Sequence, residues 1–193
     1  MAARNRMPPW HEKLTLANGR ELLIRPVRPE DAGPIRAGFS LLEPNEIRQR
    51  FLHPMKELSV EQAERLTRPN SRREFALVAA EPLPPGEALV GAVARLAVDD
   101  DGENAEFAIL VSHYVAGMGL GRHLMRRLVR WAKGRKLRRI YGDVLDSNLP
   151  MQALAASLDF RREHADAPGL VRMVLDLPPP KPRAPARLPL AAG

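Results

Sequence analysis

Three glycines at alternate positions, Gly117, Gly119 and Gly121, lie between an apolar segment and an amphipathic one. Backbone N–H groups at the start of a helix have no partner within the helix, and the helix dipole attracts anions to them. Glycine lets that backbone approach a bulky anion, so the spacing predicts a phosphate-binding loop, to which Arg122 can add a side-chain contact. The alternative is a turn that only packs the helix against a sheet, although such turns rarely need three alternating glycines.

Glu106 lies in the apolar segment AEFAILV that precedes this loop. Both faces of the segment are largely apolar, which indicates a central strand. A carboxylate without a partner there is costly or has a raised pKa, and a raised pKa suits a general base. An ion pair is the alternative: if Asp99–Gly102 form a four-residue hairpin loop, Arg95 faces Glu106 and lowers the pKa of the glutamate. Both roles can coexist, with Arg95 orienting the carboxylate.

Two common phosphate-binding motifs fit the glycine loop poorly. A P-loop ends in Gly-Lys-Ser/Thr, whereas Arg122 and His123 follow Gly121. A dinucleotide fingerprint needs a small residue where Arg122 stands, and it normally follows the first strand. Asp143 nevertheless lies near the distance expected for a ribose-binding acid, so this alternative stays open.

The elements that position these residues follow from their patterning. Asn18-Gly19 predicts a two-residue hairpin turn between two N-terminal strands. Three helices are expected next, and the third opens on a capping box formed by Ser59 and Gln62. Strands EFALVAA, EALVGAVARLAV and ENAEFAILVS form an antiparallel meander, which leads through the loop into a helix, a strand, a further helix and two final strands. This order predicts an α/β (α+β) fold with a mixed sheet.

The segment from Ala116 to Gly121, AGMGLG, resembles motif A of the GNAT N-acetyltransferase superfamily, Gln/Arg-x-x-Gly-x-Gly/Ala. The predicted element order also matches that fold, and the resemblance covers residues 20–177. It implies a domain over 13–177 whose central sheet has about seven strands, flanked by helices and splayed between the fourth and fifth main strands. It also implies acetyl-CoA as the acyl donor.

The resemblance assigns roles to individual residues. The cofactor pyrophosphate is expected on Gly117, Met118, Gly119, Leu120, Gly121 and Arg122, and the pantetheine arm on Ile109, Leu110 and Val111. Asn148 contacts the CoA arm, caps the following helix, or does both. Two departures from the family are Ala116, in place of Gln or Arg, and Ala155, where many members carry a tyrosine that protonates the leaving thiolate.

Three stretches, IRQRFLHPMKELS, AEFAILV and NLPMQALAASLDF, look like the acetyltransferase domain of bacterial Pat-type protein-lysine acetyltransferases. That resemblance places the catalytic glutamate at Glu106 and implies a protein lysine acceptor, with a small amine as the alternative. The acyl-CoA-synthetase-like region often fused to that domain is not in this sequence. We therefore expect a stand-alone relative or one with a different acceptor.

Composition limits the chemistry further. The chain has no cysteine, which excludes disulfides, thiolate metal sites and a cysteinyl-acyl intermediate, so direct acyl transfer is expected. The five histidines show no metal-ligand spacing, so no metal is predicted. No apolar run approaches the roughly 20 residues of a membrane span, and the N-terminus lacks the apolar stretch of a signal peptide, so no membrane partner and a cytoplasmic location are expected.

The positive charge is concentrated rather than uniform. The net charge is +7, and residues 119–139 hold nine Lys or Arg and no acid. This favours an anionic ligand near the glycine loop, while residues 1–12 and the Pro/Ala-rich basic tail 178–193 are expected to be flexible. A nucleic-acid-binding protein using 119–139 is a second, less favoured class, and a CoA-binding regulatory domain with little catalysis is a rival within the fold.

Overall fold

The computed structural model describes residues 7–178 of the 193-residue chain. Half of the predicted flexible N-terminus, residues 1–6, and nearly all of the predicted tail lie outside the described residues. The strands are β1 (Glu12–Thr15), β2 (Glu21–Pro26), β3 (Glu74–Ala80), β4 (Val90–Val98), β5 (Asn104–Val111), β6 (Arg139–Leu145), β7 (Arg161–His164) and β8 (Leu170–Asp176). The α-helices are α1 (Ala32–Phe39), α2 (Pro44–Phe51), α3 (Val60–Thr67), α4 (Leu120–Gly134) and α5 (Leu149–Ala156).

The strands form one mixed sheet in the order β1-β2-β3-β4-β5-β6-β8-β7. All neighbouring strands are antiparallel except β5 and β6, which are parallel because α4 crosses over between them. Only Asn104, Ala105 and Glu106 of β5 pair with β6, opposite Arg139, Ile140 and Tyr141. Beyond these pairs the two strands separate, and the sheet is splayed. The prediction of a mixed α/β sheet is confirmed. If β1 and β2 are counted as one strand, β5 and β6 are the fourth and fifth strands, between which the splay was expected.

The two faces of the sheet are covered by different helices. Alternate residues such as Leu77 and Leu96 pack with α4, whose Leu124 and Leu128 are fully buried. Helix α5 joins the same core through Ala155. Helices α1 to α3 lie on the opposite face, where α1 contacts β4 and α2 contacts β5. The period-2 alternation of the strands therefore sends a residue of β5 either toward the α4 side or toward the α1–α3 side.

The N-terminal turn is longer than predicted. The N–H of Leu16 donates to the carbonyl of Arg20 at 2.9 Å, so three residues rather than two connect β1 and β2. Gly19 adopts a φ of +82°, and the N–H of Gly19 donates to the carbonyl of Leu16 at 2.9 Å. A glycine in the left-handed conformation at the third position is typical of three-residue hairpin loops.

The predicted pairing of Arg95 with Glu106 is wrong. In the structure Ala97 faces Glu106, and Arg95 faces Ala108. The hairpin loop starts one residue later than expected, because the N–H of Asp99 still donates to the carbonyl of Asn104 and the carboxylate of Asp101 then closes the turn. Arg95 forms its ion pair with Glu74 of β3 instead.

Part of the segment before β1 is packed on the fold. Trp10 contacts Phe75 edge-to-face with ring centroids 4.8 Å apart, and Phe75 stacks on Trp131 of α4 at 5.1 Å. Arg127 donates to the carbonyl of Trp10 at 2.7 Å and pairs with Glu12. These contacts attach residues 10–12 to the exposed side of α4.

Candidate active site

The glycine loop owes its shape to backbone conformations that other residues rarely adopt. Gly117 and Gly119 have φ angles of +75° and +79°, and Gly119 is the N-cap of α4. At Gly121 the conformation is ordinary, but a Cβ atom there would lie 2.9 Å from Cδ1 of Leu154 in α5. Two glycines therefore shape the turn, and the third allows α4 and α5 to approach each other.

The backbone N–H groups of this loop form no hydrogen bonds within the helix. The first helical bond of α4 is donated by His123 to the carbonyl of Gly119, at 3.0 Å. No backbone acceptor among the described residues is bonded to the N–H groups of residues 117–122. The side chain of Leu120 is buried and that of Met118 packs against the main core, so these two residues can offer only their backbone to a ligand. The guanidinium of Arg122 donates to the carbonyl of Ser157 at 3.2 Å, which holds its charge beside the loop.

A cleft of about 590 Å³ runs from the loop into the splay between β5 and β6. Its wall includes Ile109, Leu110 and Val111 of β5, and Gly117, Gly119, Gly121 and Arg122 of the loop also line it. The backbone of β5 has no strand partner on this side beyond Glu106, so its polar groups are available to an extended ligand. The structure thus brings the predicted pantetheine residues and four of the six predicted pyrophosphate residues onto one surface; Met118 and Leu120 do not line the cleft.

Glu106 lies at the vertex of the splay and lines the same cleft. Its carboxylate reaches solvent in the open cleft, yet partial burial raises the pKa of Glu106 above its ordinary value. The negative charges of Asp143 and Asp99 raise this pKa further, while Arg172 and Arg50 oppose the shift. No hydrogen bond from the described residues holds the carboxylate, which leaves it free to accept a proton from a ligand.

The neighbours of Glu106 on β6 are already engaged. Tyr141, its partner across the strand pair, donates its hydroxyl to both carboxylate oxygens of Asp99 at 3.1 Å. Burial and the Asp99 contact raise the pKa of Tyr141 to about 12, so the phenol keeps its proton at neutral pH. Asp143, which lines the cleft, receives two hydrogen bonds from Arg172, at 2.7 and 2.8 Å. Of Glu106, Tyr141 and Asp143, Glu106 is therefore the one without a hydrogen-bond partner among the described residues, and it is the candidate base.

Sequence reasoning missed the contribution of α2 to the cleft. Glu46, Arg50 and Phe51 line it from above β5. Glu46 accepts hydrogen bonds from the backbone N–H of His113 at 2.7 Å and contacts its ring nitrogen Nδ1 at 2.9 Å, which ties α2 to the segment before the glycine loop. Arg50 and Phe51, a cation and an aromatic residue at the end of a short helix, could have marked α2 as part of a site. Hydrophobic periodicity, however, does not indicate which strand a helix covers.

Asn148 caps the N-terminus of α5, which is one of the two roles predicted for it. Its side-chain oxygen accepts from the N–H of Met151 at 3.2 Å at the start of α5. The residue also lines the cleft, so a contact with a ligand remains compatible with the cap. Ala116 lines the cleft with only a methyl group, and Ala155 is fully buried in the main core.

Comparison with known proteins decides the family. The family described as "Acetyltransferase (GNAT) domain" matches residues 21–161, well over half of the chain. The chain belongs to the GNAT acetyltransferase family. It is also 30% identical over 151 residues to "Acetyltransferase PA5475" of Pseudomonas aeruginosa, a match that covers 78% of this chain and 80% of that protein. The prediction of an acetyltransferase enzyme is confirmed at this level.

Solved structures show the same fold. The GNAT domain of S. lividans PAT is 23% identical with a TM-score of 0.77, over 89% of this GNAT chain and all of that one. A cAMP-binding acyltransferase from Mycobacterium smegmatis is 22% identical with a TM-score of 0.58, over 91% of this chain but only 50% of that protein. An acetyltransferase from Thermus thermophilus is 23% identical with a TM-score of 0.63, over 81% of this chain and 97% of that one.

Two further observations concern partners. Among residues 7–178, no helix is long and apolar enough to cross a membrane, and no group of three metal-ligating side chains occurs. Many cations of the 119–139 segment are engaged within the protein: besides Arg122 and Arg127, Arg135 donates to the carbonyl of Arg72, Arg138 pairs with Glu103, and Arg139 pairs with Asp176. The ion pairs of Arg127, Arg138 and Arg139 balance part of the positive charge that a nucleic acid would need.

Proposed function

We propose that this GNAT protein transfers the acetyl group of acetyl-CoA directly to an amine, with Glu106 as the general base. The observation that carries the proposal is the placement of a carboxylate without a bonded partner at the vertex of the splay, in the same cleft as the free loop amides. Membership of the GNAT family supports acetyl-CoA as the acyl donor, and the position of Glu106 in the cleft supports its role as the base.

The residues present fit acetyl-CoA as the donor. Six consecutive amides without backbone acceptors, at the positive end of a 15-residue helix, suit a pyrophosphate. Arg122 adds a full positive charge beside them. The unpaired edge of β5 at Ile109, Leu110 and Val111 suits the amide groups of a pantetheine arm, and Asn148 lies on the opposite wall. When bound, acetyl-CoA provides the activated thioester.

Glu106 supplies the step that the amine cannot perform alone. A lysine amine has a pKa of about 10.4 and is mostly protonated at neutral pH, so it must lose a proton before it attacks a thioester. A carboxylate with a raised pKa is a stronger base than an ordinary glutamate, and it stays deprotonated only above that pKa. Since a thiol is a good leaving group, Ala155 in place of a tyrosine does not block the reaction.

For the acceptor we retain the protein lysine that the Pat-type resemblance implies, and the cytoplasm as the place of action. The likeness to the S. lividans PAT domain is consistent with this choice but speaks for the fold alone at 23% identity. Incubation of a lysate with the enzyme and acetyl-CoA, followed by detection of acetyl-lysine, tests the lysine prediction.

Glu106→Gln tests the role of the base. The substitution preserves size and removes the basic group, so kcat with any accepted amine falls about 10²- to 10⁴-fold. The Kd of acetyl-CoA, measured by calorimetry with NAD as a control ligand, stays unchanged. Glu87→Gln is the matched control, because Glu87 is exposed in the turn before β4 and outside the cleft.

Three results would contradict the proposal in different ways. Failure to bind acetyl-CoA at millimolar concentration would remove the donor and favour the dinucleotide alternative. Binding with no turnover for any amine would favour a CoA-binding regulatory domain. Turnover unaffected by Glu106→Gln would exclude Glu106 as the base.

A further inference from the structure

A second cavity lies beside the cleft, between the sheet and helices α1 to α3. Its volume is about 300 Å³, and apolar side chains form nearly all of its wall. Ala76, Val93 and Leu110 form the floor on the sheet, and Ile35, Phe39 and Leu66 cover it. This cavity and the cleft share Arg50, Phe51 and Leu110, so the two spaces meet under the end of α2.

The other end of the cavity opens to solvent. Leu41, Leu89 and Tyr114 line it there, and these side chains are among the few large apolar ones that the described residues leave exposed. A volume of this size holds about ten water-sized groups. An acetyl group on the donor side is much smaller, so the cavity suits part of another substrate.

Three arginines line this largely apolar space, and one of them, Arg20, is exposed to solvent. Arg95 is bonded to Glu74, so its charge is largely balanced. Arg50 stacks over the ring of Phe51 at 4.9 Å and has no hydrogen-bond or ion-pair partner among residues 7–178. Burial and repulsion by Arg95 lower the pKa of Arg50 to about 10, as expected for a guanidinium without a bonded partner. An anionic ligand group is what such a cation lacks.

Arg50 and Glu106 also influence each other. The charge of each shifts the pKa of the other, yet the two groups form no ion pair. The carboxylate of Glu106 and the guanidinium of Arg50 therefore line the same cleft, and Arg50 also lines the apolar cavity beside it. Their combination matches a molecule that carries an ammonium, a carboxylate and an apolar side chain on the same carbon atom.

We propose that a free α-amino acid with an apolar side chain is a further acceptor of this enzyme. Its carboxylate binds Arg50, its apolar side chain fills the second cavity, and its amine faces Glu106. The proposal rests on the proposed function, because it uses the same donor and the same base. A lysine side chain within a protein has no adjacent carboxylate and does not satisfy Arg50.

The transfer step balances without another reactant. Glu106 takes one proton from the ammonium, and the neutral nitrogen attacks the thioester carbonyl carbon. The C–N bond forms and the C–S bond breaks, so the electron pair of that bond leaves on sulfur. The nitrogen loses a second proton, and the thiolate gains one, which gives the N-acetyl amino acid, free CoA and one proton released through Glu106.

The test compares four amines as acceptors: leucine, leucinamide, glycine and 3-methylbutylamine. CoA release is followed with a thiol reagent, which the cysteine-free protein does not consume. We expect kcat/KM for leucine to exceed that for leucinamide and 3-methylbutylamine by about 10-fold or more, because the carboxylate gains a charged hydrogen bond. Glycine should be poorer than leucine by about 10-fold or more, since it leaves the cavity unfilled.

Two variants separate the carboxylate contact from the cavity. Arg50→Gln should raise KM for leucine about 10-fold or more and leave KM for leucinamide unchanged, a difference that general damage to the fold would not produce. Gly38→Leu adds a side chain to the cavity from α1, where the nearest atom to a new Cβ is the carbonyl oxygen of Val90 at 3.7 Å. It should slow leucine but not glycine, and it should not change the Kd of acetyl-CoA.

The outcomes separate this inference from the proposed function. Acetyl-CoA binding and acetylation of lysine peptides without acetylation of leucine would overturn the inference and leave the function standing. Equal rates for leucine and leucinamide would also overturn it. No binding of acetyl-CoA would remove the proposed function itself.

Discussion

Substitution of Gly119 by alanine tests the glycine loop most directly. Gly119 has a φ of +79° and no neighbouring atom within 4 Å of an added Cβ, so the cost of alanine there is purely conformational. A non-glycine residue in the left-handed region costs about 1–2 kcal/mol. For a chain of this length, that lowers Tm by about 2–8 °C.

The effect on ligand binding should be larger than the effect on stability. To relieve the strain, the loop must change conformation, and its amides then lose their common direction. One lost hydrogen bond to a charged group is worth about 1.5–3 kcal/mol, so the Kd of acetyl-CoA should rise about 10- to 150-fold. Isothermal titration calorimetry measures this change.

Gly134→Ala is the matched control for this substitution. Gly134 is the last residue of the same helix, is exposed, and has an ordinary φ with no atom within 4 Å of an added Cβ. Alanine is the better helix former there, so the variant should gain about 0.5–1 kcal/mol and bind acetyl-CoA as the parent does. Wild-type affinity in Gly119→Ala, with its Tm lowered as expected, would refute the assignment of the loop amides to the ligand.

Three other predictions concern the surroundings of the site. Because the pKa of Glu106 is raised, kcat/KM should fall as the pH drops through that pKa. The raised pKa also means that the charged carboxylate destabilises the folded state. Glu106→Gln should therefore have a higher Tm than the parent above this pKa and lose that advantage below it. Asp31→Asn leaves Arg25 as a buried cation without its ion-pair partner, and should lower the unfolding free energy by about 3–5 kcal/mol; a calorimetric Tm within about 2 °C of the parent would contradict this. Gly142→Ala places a Cβ 2.7 Å from the ring of Phe107 and should cost about 1–3 kcal/mol by denaturant unfolding, and Phe107→Leu in the same chain should recover part of the loss.

Local signals in the sequence predicted the local features well. The capping box of α3 forms as expected, with the N–H of Gln62 donating to the hydroxyl of Ser59 at 3.1 Å. Asp159 follows α5 with a φ of +67°, a conformation that aspartate tolerates better than most residues. Two of the three loop glycines, Gly117 and Gly119, have the positive φ angles that glycine readily adopts. Each of these features depends on residues within a few positions of one another, so the sequence carries the whole cause.

Features that depend on register and helix placement were harder to predict. A shift of one residue in the start of the β4–β5 loop moved every cross-strand pair by two, which separated Arg95 from Glu106. The placement of α2 over β5 depends on packing between segments more than 50 residues apart, as in the contact of Glu46 with His113. The second cavity lies between three helices and the sheet, and its existence depends on how these separate elements pack, which residue patterns do not indicate.

Both tryptophans of the chain, Trp10 and Trp131, belong to the aromatic cluster around Phe75. Neither lines the cleft or the second cavity. Intrinsic tryptophan fluorescence therefore reports on the attachment of the N-terminal segment to α4 and is silent toward events at Glu106. A loop or cavity variant that loses ligand affinity while its emission spectrum stays that of the parent has been altered locally, so each such variant carries its own optical check of the surrounding fold.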